Sequence, residues 1–368
     1  MSKIDHLLQR ALNGERLGLE EGIALWESDE IEKIGWAANQ LMERRHPKPI
    51  TTFVIGRNIN YTNVCDTYCR FCAFYRKPGS KDAYVLSKEE IYKKIQETVD
   101  VGGTEILMQG GTNPDLPFSY YLDLLRGIKE RFPVHMHSFS PVEIRKMKEV
   151  SGLSYEEVLR QLKEAGLDSI PGGGAELLVD RIRNKISRLK TTWQEWIDIM
   201  KTANRVGLHT TATMVIGFGE TYEERMLHLL RLREAQDETG GFLAFILWTY
   251  QPVPTLPAEK VPPEEYLKGI AIARIILDNI PNFQSSWVTM GPEIGKLSLQ
   301  YGCNDFGSTM IEENVVSAAG TAHKVNNNLA IQLIREAGKI PAQRNTKYEI
   351  LRIFEEGEFA ERDFVMQN

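Results

Sequence analysis

Cysteine is scarce in this chain, with four residues in 368. Three of them crowd together, so the chain has no disulfide framework; reduced thiols and a cytoplasmic location are expected. A basic block is also missing. Acidic and basic residues are interspersed at a net charge of −6, and without a stripe of Lys and Arg to neutralise phosphates no nucleic-acid partner is predicted. No apolar run approaches the ~18 residues a membrane span requires. The N-terminal stretch "MSKIDHLLQRALNGERL" reads as an amphipathic helix, without the apolar core of a secretion signal. Low-complexity segments and short repeats are absent too.

What is present is an alternation of β-rich runs with helical stretches. The runs are Thr51–Asn60, Thr104–Gly111, Val134–Phe139, Leu167–Gly174, Leu208–Glu220, Gly241–Val253, Asn282–Met290 and, more weakly, Gly302–Met310. Between them lie helical patterns. One is opened by Ser87 with Glu90 as a capping box; others span the region around Tyr120–Arg131, Pro141–Ala165, and a stretch ending at a capping Gly207. Strands alternating with helices indicate a parallel sheet with right-handed crossovers. About eight such units predict a (β/α)8 barrel, with an open doubly wound sheet as the alternative. Residues 1–49 are expected as helices packed outside, residues 50–325 as the barrel, and residues 326–368 as a helical extension with a charged tail. In a barrel, the turns that follow the strands converge on one mouth, where such folds carry their sites.

The three clustered cysteines, Cys65, Cys69 and Cys72, follow the first β-rich run with the spacing C-x-x-x-C-x-x-C. Three thiolates can hold three irons of a cubane and leave the fourth open to a ligand. Zinc sites ordinarily pair two such halves, and the nearest downstream histidine is His135. Cys303, more than two hundred residues on, reads as a buried structural thiol or a fourth ligand.

"CDTYCRFCAF" resembles the signature of the radical S-adenosylmethionine (SAM) enzymes, with Phe71 as its aromatic residue. The resemblance implies a [4Fe–4S] cluster on Cys65, Cys69 and Cys72. It also implies SAM chelated to the open iron, and an electron donor such as flavodoxin or ferredoxin. Cleavage of SAM would give a 5′-deoxyadenosyl radical. Phe71 and its aromatic neighbour Phe74 would shield the cluster and pack near the adenine. The turn in "MQGGT", with Gln109, Gly110 and Gly111, is similar to the family's Gly-Gly-Glu turn at the methionine ammonium but lacks the Glu. "IPGGGAELL" resembles the family's motif after the fourth strand, which implies Glu176 facing SAM and Lys190 as a candidate partner for its carboxylate. "TMVIGFGET" resembles the fifth-strand motif, which would place Ile216 and Gly217 beside the adenine, while Glu220 and Thr221 are expected to cap the next helix.

Within the superfamily, "NINYTNVCDTYCRFCAFYR", "MHSFSPVEI", "PGGGAELLVDRIR" and "CNDFGSTMIEENVVSAAG" resemble the cyclase family of the futalosine route to menaquinone. Aminofutalosine synthases and deazaflavin synthase subunits are the alternatives. The implied small-molecule substrate is dehypoxanthine futalosine, a ribose carrying an aryl ketone with a benzoate group. Hydrogen abstraction at the ribose 4′ carbon would let that carbon add to the benzoate ring. The ring-closed intermediate must then lose one electron and one proton, and for the proton His137, Asp305 and Glu312 are candidates. His137 is expected to handle the proton and Asp305 to hold the sugar. An Fe–S sensor or electron carrier is the non-enzymatic alternative.

Overall fold

The computed structural model describes residues 2–321 and 323–364. Three helices come first: α1 (Lys3–Leu12), α2 (Leu19–Trp26) and α3 (Ile31–Arg45). The strand–helix series then runs β1 (Ile50–Val54), β2 (Gly56–Ile59), α4 (Lys88–Asp100), β3 (Glu105–Met108), α5 (Phe118–Lys129), β4 (His135–Ser138), α6 (Pro141–Ser151) and α7 (Tyr155–Ala165). It continues with β5 (Ser169–Ile170), α8 (Asp180–Ser187), α9 (Trp193–Arg205), β6 (His209–Ile216), α10 (Tyr222–Thr239), β7 (Phe242–Thr249), α11 (Pro263–Ile276) and β8 (Asn282–Gln284). The chain ends with α12 (Trp287–Met290), α13 (Pro292–Ser298), β9 (Asp305–Ser308), α14 (Asn327–Glu336), β10 (Ile340–Arg344) and β11 (Ile350–Ile353).

All eight β-rich runs contain a strand. The segment Thr51–Asn60 is split into β1 and β2, and the second half of Asn282–Met290 turns into α12. The strands form one sheet in the order β11-β10-β1-β9-β8-β7-β6-β5-β4-β3-β2, parallel throughout except between β10 and β11. Because β1 and β2 are two stretches of one extended segment, the ends of the parallel series meet there. Val54 pairs with Ser308 of β9, while Ile59 pairs with Met108 of β3. The Ile311 N–H donates to the Gly56 carbonyl at 3.1 Å, and the Thr104 N–H to the Ile55 carbonyl at 3.0 Å. A curled parallel sheet of the (β/α) barrel kind follows, as the alternation predicts.

Local signals start and stop the helices. Ser87 and Glu90 form the expected capping box on α4. Past α9, Gly207 sits at φ +82, one residue beyond the cap Val206, and returns its N–H to Asn204. Helix α11 is buried along Tyr266–Ile276, since it lies between β7 and the N-terminal helices. Its Lys268 ammonium donates 2.8 Å to the Trp26 carbonyl and ties α2 to the barrel. The first three helices thus pack outside the barrel.

Among the described residues beyond Asn326, only α14 is helical. The chain then forms the β10–β11 hairpin instead of further helix. β10 runs parallel to β1 over Ile50–Phe53, on the side where β3 takes over at Gly56–Ile59. The hairpin thereby fills the gap at the end of the barrel where the strands begin. Ile340 and Ile350 belong to an alternating pattern too short to distinguish from a helix end by periodicity. Among the described residues, no helix is long and apolar enough to cross a membrane.

Candidate active site

The loop after β2 is held from several sides. The Cys65 N–H donates to the Arg76 carbonyl (2.9 Å) and the Arg76 N–H to the Asn63 carbonyl (2.7 Å), closing the loop on itself. Tyr68, at φ +51, turns the chain between the first two cysteines, and the Cys72 N–H returns to the Cys69 carbonyl at 3.2 Å. The turn after β3 forms the opposing wall. A Cβ on Gly111 would sit 2.1 Å from the Val64 carbonyl oxygen and 2.7 Å from the Cys65 Cβ. Glycine is therefore required there for space, whatever it does for a ligand. The Thr112 hydroxyl lies 3.2 Å from the Cys65 sulfur and donates to Asp66 at 2.7 Å, and Asp66 in turn pairs with Lys146.

Cys65, Cys69 and Cys72 border one cavity of about 200 Å³, all as free thiols. Among the described residues, no three His, Cys, Asp or Glu side chains are grouped to hold a single metal ion. Burial pushes the Cys69 thiol up to about 12 and raises that of Cys72, so iron binding at this loop must displace protons. Cys303 lies elsewhere, fully buried, its thiol pushed up to about 12 by burial.

Next to the thiols stands an ion pair. Lys190 Nζ lies 2.7 Å from Glu176 Oε1 and 4.9 Å from the centre of the Phe71 ring. Burial works to lower the Lys190 pKa, but the nearby Cys69 and Glu176 outweigh it and hold the amine raised, and so charged. Glu176 sits at φ +39, and its second oxygen, Oε2, is buried with no hydrogen-bond partner among the described residues, the Arg183 guanidinium standing 3.8 Å away as an ion pair. A buried carboxylate oxygen without a donor is costly unless a ligand supplies one. A fixed ammonium, an unsatisfied carboxylate oxygen and three thiols on adjoining walls suit the amino-acid end of SAM beside an Fe–S cluster. Phe71 packs on Phe218 (5.5 Å between ring centres), which in turn packs on Tyr250 (4.6 Å).

The turn that lacks a Glu in sequence receives one from another element. Glu143, on α6, accepts from the Gly110 N–H at 3.0 Å, from Tyr61 at 2.7 Å and from Ser140 at 2.7 Å. Burial raises its pKa to about 7. In sequence Glu143 reads only as the third residue of a helix that opens at Ser140, so nothing local marks it.

A second cavity, of about 310 Å³, fills the barrel interior and shares Phe71, Cys72, Gln109, Gly173, Gly174 and Glu176 with the first. His137 borders it. Its Nδ1 is 2.6 Å from the Ser169 hydroxyl, which also contacts His135 Nε2 at 2.7 Å. Burial, with Arg344 near, pushes His137 down to about 3 and keeps the ring neutral.

Other expected residues are not on either cavity wall. Along β6, Thr211, Thr213 and Val215 face the interior; strand alternation turns Ile216 the other way, into the core. The Ile216 carbonyl accepts from Tyr250, and the Gly217 N–H donates to Glu220, so both backbone groups are already engaged. Asp305 is fully buried beneath the cavity, held by Arg344 and Thr52. It lines neither cavity. Glu312 bridges Arg57 and Lys94, whereas its neighbour Glu313 borders the cavity. Glu105, Thr346 and Tyr348, which the sequence did not single out, border it as well.

Residues 59–232 match the family described as "Radical SAM superfamily", and residues 239–357 the one described as "CofH/MqnC C-terminal region". A cyclic dehypoxanthine futalosine synthase of Halalkalibacterium halodurans is 70% identical over 368 residues, covering 99% of this chain and 100% of that protein. One of Streptomyces coelicolor is 45% identical, covering 95% of this chain and 89% of that protein. An aminodeoxyfutalosine synthase of Thermus thermophilus is 38% identical, covering 95% and 96% respectively. Among solved structures, the FeFe-hydrogenase maturase HydG from Carboxydothermus hydrogenoformans superposes with a TM-score of 0.74 at 15% identity, over 94% of this chain and 80% of that one. Methylornithine synthase (PylB) gives 0.72 at 17% identity, over 91% and 97%. At such identities these two speak for the fold alone.

Proposed function

Because this chain belongs to the radical SAM superfamily and, within it, to the family of cyclic dehypoxanthine futalosine synthases, we propose that it closes dehypoxanthine futalosine to its cyclic form in menaquinone biosynthesis. Membership brings a [4Fe–4S] cluster and SAM as cofactors; when bound, they supply a 5′-deoxyadenosyl radical for hydrogen abstraction at the ribose 4′ carbon.

The observation that carries the reading is the shared wall of the two cavities. The cysteine cavity adjoins the barrel interior across Phe71, Cys72, Gln109 and Glu176, so a reagent generated at the thiols meets a substrate held in the barrel without passing through solvent. In this reading Cys65, Cys69 and Cys72 ligate the cluster. Lys190 takes the SAM carboxylate and Glu176 faces its ammonium. Gly110 and Gly111, braced by Glu143, line the same end, with Phe71 beside the adenine. His137 accepts the proton released after ring closure, its imidazole kept neutral by burial and oriented by Ser169. Asp305 acts only through Arg344. The electron donor is a flavodoxin- or ferredoxin-type protein, and the reduced thiols suit the cytoplasm.

The test is incubation of the anaerobically reconstituted protein with dehypoxanthine futalosine, SAM and a reductant, followed by mass analysis. The expected product is lighter than the substrate by two hydrogens, one lost as an atom to the 5′-deoxyadenosyl radical and one as a proton together with an electron, which the Fe–S cofactor would take up. Deuterium at the 4′ position should appear in 5′-deoxyadenosine. SAM cleavage without turnover of this substrate would return the chain to the aminofutalosine or deazaflavin type of activity.

A further inference from the structure

At the strand-start end of the barrel cavity, one carboxylate has no hydrogen-bonding partner among the described residues, although Arg344, His135 and Tyr348 lie near enough to feel its charge. Glu105, the first residue of β3, is 6% exposed and borders the cavity. No hydrogen bond or ion pair to its carboxylate occurs among the described residues, although buried acidic side chains are ordinarily paired.

Its surroundings come from the far end of the chain. The turn between β10 and β11 presents Arg344, Thr346 and Tyr348 to the same cavity. Asn345 holds this turn together. Its side chain accepts from the Lys347 N–H (2.9 Å) and the Glu349 N–H (3.0 Å). Tyr348 is kept at φ +65, a conformation rare for a bulky residue. The Arg344 guanidinium sits 3.9 Å from the centre of its ring. Thr346 is 4% exposed, and its hydroxyl has no partner among the described residues; the same holds for the Asn58 carbonyl oxygen opposite, in a residue 5% exposed. Nor does any described residue bond the Tyr348 hydroxyl.

The charge balance decides what this floor can take. Arg344 is the only Lys or Arg bordering the cavity among the described residues, and both oxygens of Asp305 already hold it. Glu105 then leaves the floor acceptor-rich and repels a carboxylate. Hydroxyl groups fit it, because each donates to an acidic oxygen at no charge cost; a carboxylate on adjacent ribose hydroxyls is a recurrent pairing.

We propose that Glu105, with Tyr348 and Thr346 beside it, binds the ribose hydroxyls of the substrate, so that the C-terminal turn forms the sugar-recognition floor of the barrel. This rests on the substrate reading given above and adds to it the end of the molecule that is recognised at the floor.

The experiment is anaerobic calorimetry of dehypoxanthine futalosine, and of its analogues lacking one ribose hydroxyl, with the reconstituted SAM-bound protein in the absence of reductant. Glu105→Gln should weaken Kd for the full substrate about 10- to 100-fold, the size expected for charge-assisted hydrogen bonds. On the parent protein, at least one deoxy analogue should lose a similar factor; on Glu105→Gln that analogue should lose little more. Tyr348→Phe gives the same cycle with a smaller factor and replaces it if Glu105→Gln fails to retain its cluster. Parent protein that binds and cyclises the substrate, alongside variants within twofold of its Kd or deoxy analogues weakened equally on every protein, overturns the proposal. Parent protein that neither binds nor cyclises the substrate overturns the substrate reading instead.

Discussion

Asp305 and Arg344 form a buried two-pronged ion pair: Nε to Oδ2 at 2.5 Å and Nη2 to Oδ1 at 2.9 Å, with side chains 0% and 3% exposed. It joins the first residue of β9 to the last of β10, and so fastens the C-terminal hairpin under the barrel. Removing one member leaves an uncompensated buried charge, which typically costs ~3–5 kcal/mol. Asp305→Asn should therefore lower the unfolding midpoint in urea markedly. An apolar replacement of both residues, Asp305→Leu with Arg344→Met, should recover part of the loss. Full stability in Asp305→Asn would contradict the pair's structural role.

The cysteine loop makes a sharper prediction. Alanine at Cys65, Cys69 or Cys72 should each abolish the intact cluster, read as iron and sulfide content and by EPR. Cys303→Ala should keep the cluster, because that thiol is fully buried away from both cavities. Loss of iron from Cys303→Ala, with a full cluster kept in any of the other three, would show that the ligand set is wrong.

Lys190 and Glu176 should act on SAM before they act on the substrate. Lys190→Met removes the ammonium beside the thiols and leaves Glu176 with only the more distant Arg183 guanidinium, 3.8 Å from its Oε2, so SAM affinity should fall about 10- to 100-fold, the worth of a charge-assisted contact. The SAM-induced change in the cluster's EPR spectrum should need correspondingly more SAM. Unchanged SAM binding in Lys190→Met would leave its amine as a packing group on Phe71.

His137 should separate the first chemical step from the last. In His137→Ala, SAM should still be cleaved and deuterium should still move from the 4′ position, while cyclised product falls ~10²–10⁴-fold, the usual cost of losing a general base. Mass analysis of both products from one reaction measures the two steps together. A full cyclisation rate would remove His137 from the mechanism.

The pH dependence of stability follows from buried groups. Burial lowers His228 to about 3, and its Nδ1 accepts from the Leu178 N–H at 2.9 Å. Its ordinary value is ~6.5, so the unfolded chain binds a proton that the folded one refuses. The stability it contributes is present above pH ~6.5 and lost as pH falls toward 3, by up to ~1.4 kcal/mol per unit. Glu143, raised to about 7, works in the opposite sense: the folded form keeps a proton that the unfolded form gives up, and stability falls as pH rises toward 7. Urea unfolding between pH 5 and 7 should show a slope shallower by about one proton in His228→Gln and steeper by about one in Glu143→Gln. Slopes equal to the parent's would mean that neither group is perturbed by folding.

What the sequence determined by itself is what local spacing controls. Three cysteines within eight residues must share one loop whatever the fold does around them, and the alternation of strands and helices implies parallel pairing because antiparallel strands need no crossover. The Ser87–Glu90 cap and the turn at Gly207 were legible for the same reason: their hydrogen bonds close within four residues. Only the tertiary structure decided which side chains reach the cavity. Parity is lost at strand ends, so Val215 faces the interior where Ile216 was expected, and Glu313 where Glu312 was. Asp305 looked free because its partner Arg344 lies 39 residues away on a strand that read as helix. Glu105 and Glu143 carried no signal of their own. A carboxylate at a strand start or in a helix's first turn is commonplace in sequence, and it becomes a candidate functional group only when the elements packed around it leave it without a hydrogen-bonding partner beside a cavity or aim it at a distant backbone N–H.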